Sequence, residues 1–195
     1  MIKDIQDYEF GVKWLFDYVY SSPSISFEEL TDGQIEAIRE FGPRMPADEF
    51  PEDFPAEDGY TGDYHDLYRG YFFLKEEEYQ EFMNSIKDGI LHLNSISSWT
   101  THPNVAERFA NGAGYYSYNK EADVKGFKGI VLKIEKVFPP SIFFSSYEAS
   151  GSFEDYYSEE LTERENEKQH HIHEEEMVLL PGSFNVRIEK VIDII

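Results

Sequence analysis

Apolar side chains recur at Ile5, Tyr8, Val12, Leu15, Phe16 and Val19, and this near-helical spacing predicts a helix over residues 4–20. Ser21-Ser22-Pro23-Ser24 breaks it. Ser26 is placed to cap a second helix, with Glu28 and Glu29 in its first turn, where the helix dipole favours acids. Leu30, Ile35, Ile38 and Phe41 form its apolar stripe, and Gly42-Pro43 ends it. Residues 43–63 hold four prolines and alternate acids with Phe50, Phe54 and Tyr60, which reads as a long loop or lid. The texture then becomes strand-like. Leu67 to Phe73 reads as an aromatic strand, and residues 75–88 as a helix with Phe82, Met83 and Ile86 facing inward. After Gly89, a strand runs through Ile90, Leu91 and Leu93. Ser97 to Thr101 is an extended segment ahead of Pro103, a favourable first-turn residue for a helix through Phe109. Asn111-Gly112-Ala113-Gly114 stops that helix. Gly129 to Ile134 is the clearest strand, while residues 145–170 are polar with little strand signal. Residues 174–180 and 184–192 read as two strands joined by a turn at Pro181-Gly182-Ser183.

Helices first and short strands after favour an α+β fold. The expected organisation is a helical and acidic-loop segment, residues 1–64, packed on a core of residues 65–195, one compact domain overall.

Composition narrows the class. Apolar residues are 41% and aromatic residues 16% of the chain, enough for a core and unlike a disordered segment. With no cysteine, disulfides, Cys-ligated zinc and thiol nucleophiles are excluded. No apolar run reaches the ~20 residues that span a bilayer, and the acidic start MIKDIQDYEF is unlike a signal peptide. A cytoplasmic protein without membrane association is the expectation. The net charge is −22. It falls in two blocks, −12 over residues 1–63 and −9 over residues 148–176, flanking a middle of net −1. Such a chain repels phosphate backbones, so bulk nucleic-acid binding is disfavoured.

Three clusters carry candidate chemistry. Arg69-Gly70 stands in an apolar, aromatic strand, where an unpaired Arg is costly and its planar fork suits phosphate or carboxylate. The plain alternative is a surface ion pair. Ser98-Trp99-Thr100 sets two hydroxyls on one strand face, although Ser and Thr ahead of a helix also serve as caps. Glu174-Glu175-Glu176 precedes Met177-Val178-Leu179-Leu180, so Glu174 and Glu176 share a face with Val178 and Leu180. Paired carboxylates there suit acid–base or oxocarbenium chemistry, against the alternative of a solvated strand entry. His170-His171-Ile172-His173 invites a metal reading through His171, His173 and Glu175, but no fourth ligand suggests itself and no metal is expected.

Taken in order, these clusters resemble the Arg–Ser–Glu class of mono-ADP-ribosyltransferases, most closely the small phage-encoded members of the Alt and Mod kind. The flanks agree: Ala106-Glu107-Arg108-Phe109-Ala110 follows the second cluster, and Val178-Leu179-Leu180-Pro181-Gly182-Ser183 the third. In one departure, Pro181 lies five residues after Glu176, where the family has its Pro four after the second Glu. Glu176 is preferred to Glu175 because Val178 and Leu180 would face the core with it. The resemblance covers residues ~65–195, a single small catalytic domain by size. It implies a mixed or antiparallel two-sheet core and NAD as co-substrate. Arg69 would bind the NAD phosphates and Gly70 would let the backbone approach the nicotinamide amide. Ser98 would hold Glu176 and the Arg69 region, with Thr100 supporting that strand. Phe109 resembles an aromatic that stacks on nicotinamide, its alternative being a core aromatic. Glu176 would face the sugar cation. Glu174 would activate an acceptor, implying arginine on a protein target with a basic surface. Tyr115–Tyr118 would cover NAD. Two rivals stand beside this reading: an acidic decoy that occupies a basic partner, and a transferase acting on nucleic acid. A two-carboxylate glycosidase ranks last.

Overall fold

The structure, a computed structural model, describes residues 5–20, 23–41, 65–113, 125–137, 141–145 and 176–194. Its elements group into two units, Met1–Asp63 with Ile142–Leu179, and Tyr64–Ser141 with Leu180–Ile195. Helices and antiparallel strand pairs make the fold α+β.

In the first unit, α1 (Ile5–Tyr20) buries Val12, Leu15, Phe16 and Val19 of the predicted stripe, and Trp14 beside them, while Ile5 at the start of that stripe is exposed. The Trp14 indole donates to the Ile25 carbonyl at 2.9 Å, which fixes the chain just beyond the helix. The next helix starts later than predicted. Ser26 caps only a single 3-10 turn, Phe27–Glu29, whose Glu29 carboxylate accepts from the Ser26 N–H at 2.8 Å. Leu30 is extended (φ −71°, ψ 140°), so the turn cannot propagate. A second reciprocal cap then restarts the chain. The Thr31 N–H donates to Gln34 Oε1 at 2.9 Å, and the Gln34 N–H donates to Thr31 Oγ1 at 3.2 Å. Helix α2 (Asp32–Phe41) follows. A methyl at Gly11 would lie 2.7 Å from the Gln34 carbonyl oxygen, so glycine lets α1 and α2 touch closely.

The strands β5 (Ile142–Ser145) and β6 (Glu176–Leu179) pair antiparallel. β5 was not anticipated from the sequence, yet Ile142, Phe143 and Phe144 are fully buried. Tyr18 meets Phe144 edge-on at 5.3 Å, and Phe27 meets Phe143 likewise.

The second unit contains β1 (His65–Phe73), β3 (Ser97–Thr100), β4 (Lys128–Val137) and β8 (Arg187–Asp193), in the order β3-β1-β4-β8. Helix α4 (Pro103–Ala110) seats on one face, with Ala106 and Ala110 against Val131, Tyr68 and Ile192. Helix α3 (Glu76–Ser85) covers the other. Its Phe82 ring lies 4.4 Å from that of Tyr71 and 5.3 Å from that of Phe73.

A small sheet joins β2 (Ile90–Leu93) to β7 (Gly182–Asn185). The expected turn at residues 181–183 is therefore partly strand, because Gly182 and Ser183 pair with Leu93 and His92. The expected strand over 184–192 is divided at Val186, where the chain changes sheets and its N–H donates to the Gly89 carbonyl at 2.7 Å. Among the described residues no helix is long and apolar enough to cross a membrane.

Candidate functional site

Strand alternation decides which side chains meet. A Cβ at Gly70 would point at α4, only 2.6 Å from the Ala110 nitrogen and closer still to the Ala106 carbonyl oxygen. Gly70 thus faces α4 together with Tyr68, and Arg69 and Tyr71 face the opposite side, toward α3. Tyr68 pairs with Thr100, which places Thr100 and Ser98 on the α4 side of β3. Ser97 and Trp99 then lie on the side of Arg69.

The hydrogen bonds agree. Arg69 Nη1 donates to Ser97 Oγ, and to the main-chain carbonyl of Ser98 at 2.7 Å. The guanidinium carbon sits 5.1 Å from the centroid of the Tyr71 ring, within cation–π range. Burial pushes the Tyr71 hydroxyl up in pKa, and the Arg69 charge and hydrogen bond oppose that shift. Arg69 is half-buried, and among the described residues no carboxylate pairs with it. The arrangement is a cation held by a hydroxyl, a carbonyl and an aromatic face. Such an arrangement suits an anion.

The other sequence candidates are distributed as follows. Ser98 and Thr100 share a face as expected, but it is the α4 face; the hydroxyl that meets Arg69 belongs to Ser97. Thr100 Oγ1 accepts from the His102 N–H at 3.0 Å, which organises the turn into α4. Gly70 is required by the seat of that helix, a packing role the sequence did not suggest. Phe109 is exposed in the last turn of α4, a helix on the opposite face of the sheet from the Arg69 side chain. An open depression of about 400 Å³ borders the same helix, lined by Asn104, Glu107, Arg108, Asn111 and Ala113.

Glu176 belongs to the first unit, as the half-buried first residue of β6. Val178 and Leu179 are both fully buried, so β6 is covered on both faces and burial does not favour one glutamate register over the other. Glu174, Glu175, His170–His173 and Tyr115–Tyr118 lie outside the described residues. Among the described residues no group of three or more His, Asp or Glu is placed to hold a metal ion.

A further charged group sits on the α4 face, where Tyr68, Lys133 and Arg187 form one row across β1, β4 and β8. Lys133 Nζ lies 2.6 Å from Asp66 and 3.5 Å from Glu135, and 5.5 Å from the Tyr68 ring centroid. Arg187 pairs with Glu135 at 2.7 Å and Glu189 at 2.9 Å. The Lys133 ammonium holds the Asp66 carboxyl below its ordinary 3.8, and Asp66 raises Lys133 in return. These charges compensate one another, so the row is structural. Its only sequence signal was a lysine inside the apolar run 129–134.

Comparison with family models, with curated proteins and with solved structures finds no match to the chain.

Proposed function

We propose that the chain is an NAD-dependent mono-ADP-ribosyltransferase that modifies a protein, on arginine, with an ADP-ribosyltransferase-like core. The observation that carries the reading is Arg69: a half-buried guanidinium on β1, held by β3, with no carboxylate neutralising it among the described residues. A pyrophosphate supplies the negative charge such a cation suits. The order of Arg69, the Ser97–Thr100 strand and the Glu174–Glu176 run along the chain supplies the rest of the resemblance.

In this reading the bond from nicotinamide nitrogen to ribose breaks, and its electron pair leaves with nicotinamide. The sugar left behind is oxocarbenium-like. The Glu176 carboxylate stabilises that charge electrostatically. Glu174 takes the proton that the incoming guanidine nitrogen loses as the new carbon–nitrogen bond forms. The net charge of −22, with −9 in residues 148–176, suits a target with a basic surface.

The test incubates the full chain with labelled NAD and a basic, arginine-rich protein, following nicotinamide release and label transfer. Both are expected in the wild type. Glu176→Gln should reduce both by at least ~100-fold, the loss of one term stabilising the transition-state charge, with an unchanged unfolding midpoint. A wild-type chain that neither releases nicotinamide nor binds NAD, while binding the basic protein tightly, would sink this reading in favour of the acidic decoy.

A further inference from the structure

Position 97 was not among the sequence candidates, yet its hydroxyl touches Arg69. The register makes this a consequence of the sheet. Tyr68 pairs with Thr100, and Gly70 points at α4, so Arg69 lies on the face that carries Ser97 and not Ser98. Ser97 is buried at 8% exposure, and Arg69 Nη1 also takes the Ser98 carbonyl at 2.7 Å. The two acceptors fix one end of the guanidinium. The guanidinium carbon also lies 5.1 Å from the centroid of the Tyr71 ring, which itself packs against Phe82. An arginine side chain has many rotamers, and ordering it on binding costs affinity. A guanidinium already held at Nη1 and set against the Tyr71 ring has less freedom to lose when its remaining donors take up an anion.

We infer that Ser97 is a positioning residue, which pre-orients Arg69 for the pyrophosphate of NAD. This rests on the transferase reading. Ser97 acts through Arg69 and touches no reacting atom. The phosphates lie away from the bond that breaks, so the help is equal in the ground and transition states and appears in KM, not in kcat.

The experiment titrates the full chain, wild type and variants, with NAD and separately with inorganic pyrophosphate by calorimetry, and measures nicotinamide release. Ser97→Ala should weaken binding of both ligands about tenfold, the scale of one hydrogen bond to a charged group, and raise KM in parallel with kcat within about twofold. Ser97→Thr, which keeps the hydroxyl, should recover most of the affinity. Unfolding midpoints are read alongside. A general loss of structure would lower kcat through the active fraction, and threonine would not rescue it selectively. Wild-type affinity for both ligands in Ser97→Ala would overturn the inference and leave the transferase reading standing. Pyrophosphate binding that depends on Ser97, without NAD binding, would support the positioning role and overturn the transferase reading. Failure of the wild type to bind either ligand would overturn both.

Discussion

Replacing Gly70 with alanine separates a packing role from a ligand-binding role. The new methyl would lie 2.6 Å from the Ala110 nitrogen, whereas ordinary contact begins at 3.4 Å. Both the strand and the first obstacles are main chain, so no side chain can swing aside. Helix α4 must therefore retreat by about 0.8 Å, and further to clear the Ala106 carbonyl oxygen. A gap of that size forfeits a quarter to a half of the dispersion energy of each contact it opens. The contacts at risk are those of Val105, Ala106 and Ala110, all buried beneath the helix. Overpacking of this kind costs about 1–3 kcal/mol, and the lower entropy of the unfolded alanine chain returns about 0.5. The net expectation is a loss of about 1.5 kcal/mol. Urea denaturation of the second unit's sheet, followed by tyrosine environment, measures it. Gly129 supports the same seat, since a Cβ there would lie 2.7 Å from the Ala110 carbonyl carbon. With the helix already lifted, Gly129→Ala should cost less in the double variant than alone. An unchanged midpoint in Gly70→Ala, with only NAD affinity altered, would refute the packing account. It would restore the expectation that glycine is there for the ligand.

Glu176→Gln should abolish nicotinamide release while the fold survives, as the transferase reading requires; comparable turnover would remove Glu176 from the chemistry. Asp66→Asn should destabilise at neutral pH, because the depressed Asp66 carboxyl adds stability above its ordinary 3.8 and loses it as pH falls through the lower folded value. The gap between the two proteins should therefore close in acid, and a gap that persists there would argue against the ion pair. Lys133 has the opposite sense. Its raised pKa contributes below the ordinary 10.5 and is lost as pH climbs through the folded value, which a stability profile in alkali would register. Lys136 has φ +52° in a bulge opposite Asp66, which takes its N–H at 3.2 Å. Lys136→Gly should relieve that left-handed backbone and stabilise by about 0.5–1 kcal/mol in urea midpoints, where a loss would contradict the strain.

Local signals predicted the local structure well. The stripe of α1 and the apolar run of β4 identified both elements, because α1 buries one face at the helical period and β4 is buried on both faces from Gly129 to Ile134. The start of α2 was misplaced because two capping signals, Ser26 with Glu29 and Thr31 with Gln34, lie five residues apart. Sequence alone does not say which one carries the longer helix. β5 escaped because four residues are too few to show alternation, and its burial comes from Tyr18 and Phe27 far away in the chain. The candidate site was half legible. Arg69 stood out as a charge among aromatics. Ser97 did not, because which face a strand residue occupies depends on the register with its partner, and that is fixed by Tyr68 and Thr100 and by the glycine seat of α4.

The single residue between β7 and β8 also constrains how the chain can vary in length. Val186 alone carries the backbone from the small sheet to the large one, and Gly89 holds its N–H. Strand side chains alternate with a period of two. One residue inserted or deleted at this joint would turn β8 over with respect to β4. Lys190 would leave Glu107, its partner at 2.7 Å, and Ile192 would leave the cluster under α4. The exposed side chains of Ile188 and Val191 would be driven toward the helix instead. The joint therefore tolerates changes of side chain far better than changes of length, and a length change that did survive there would have to come in pairs.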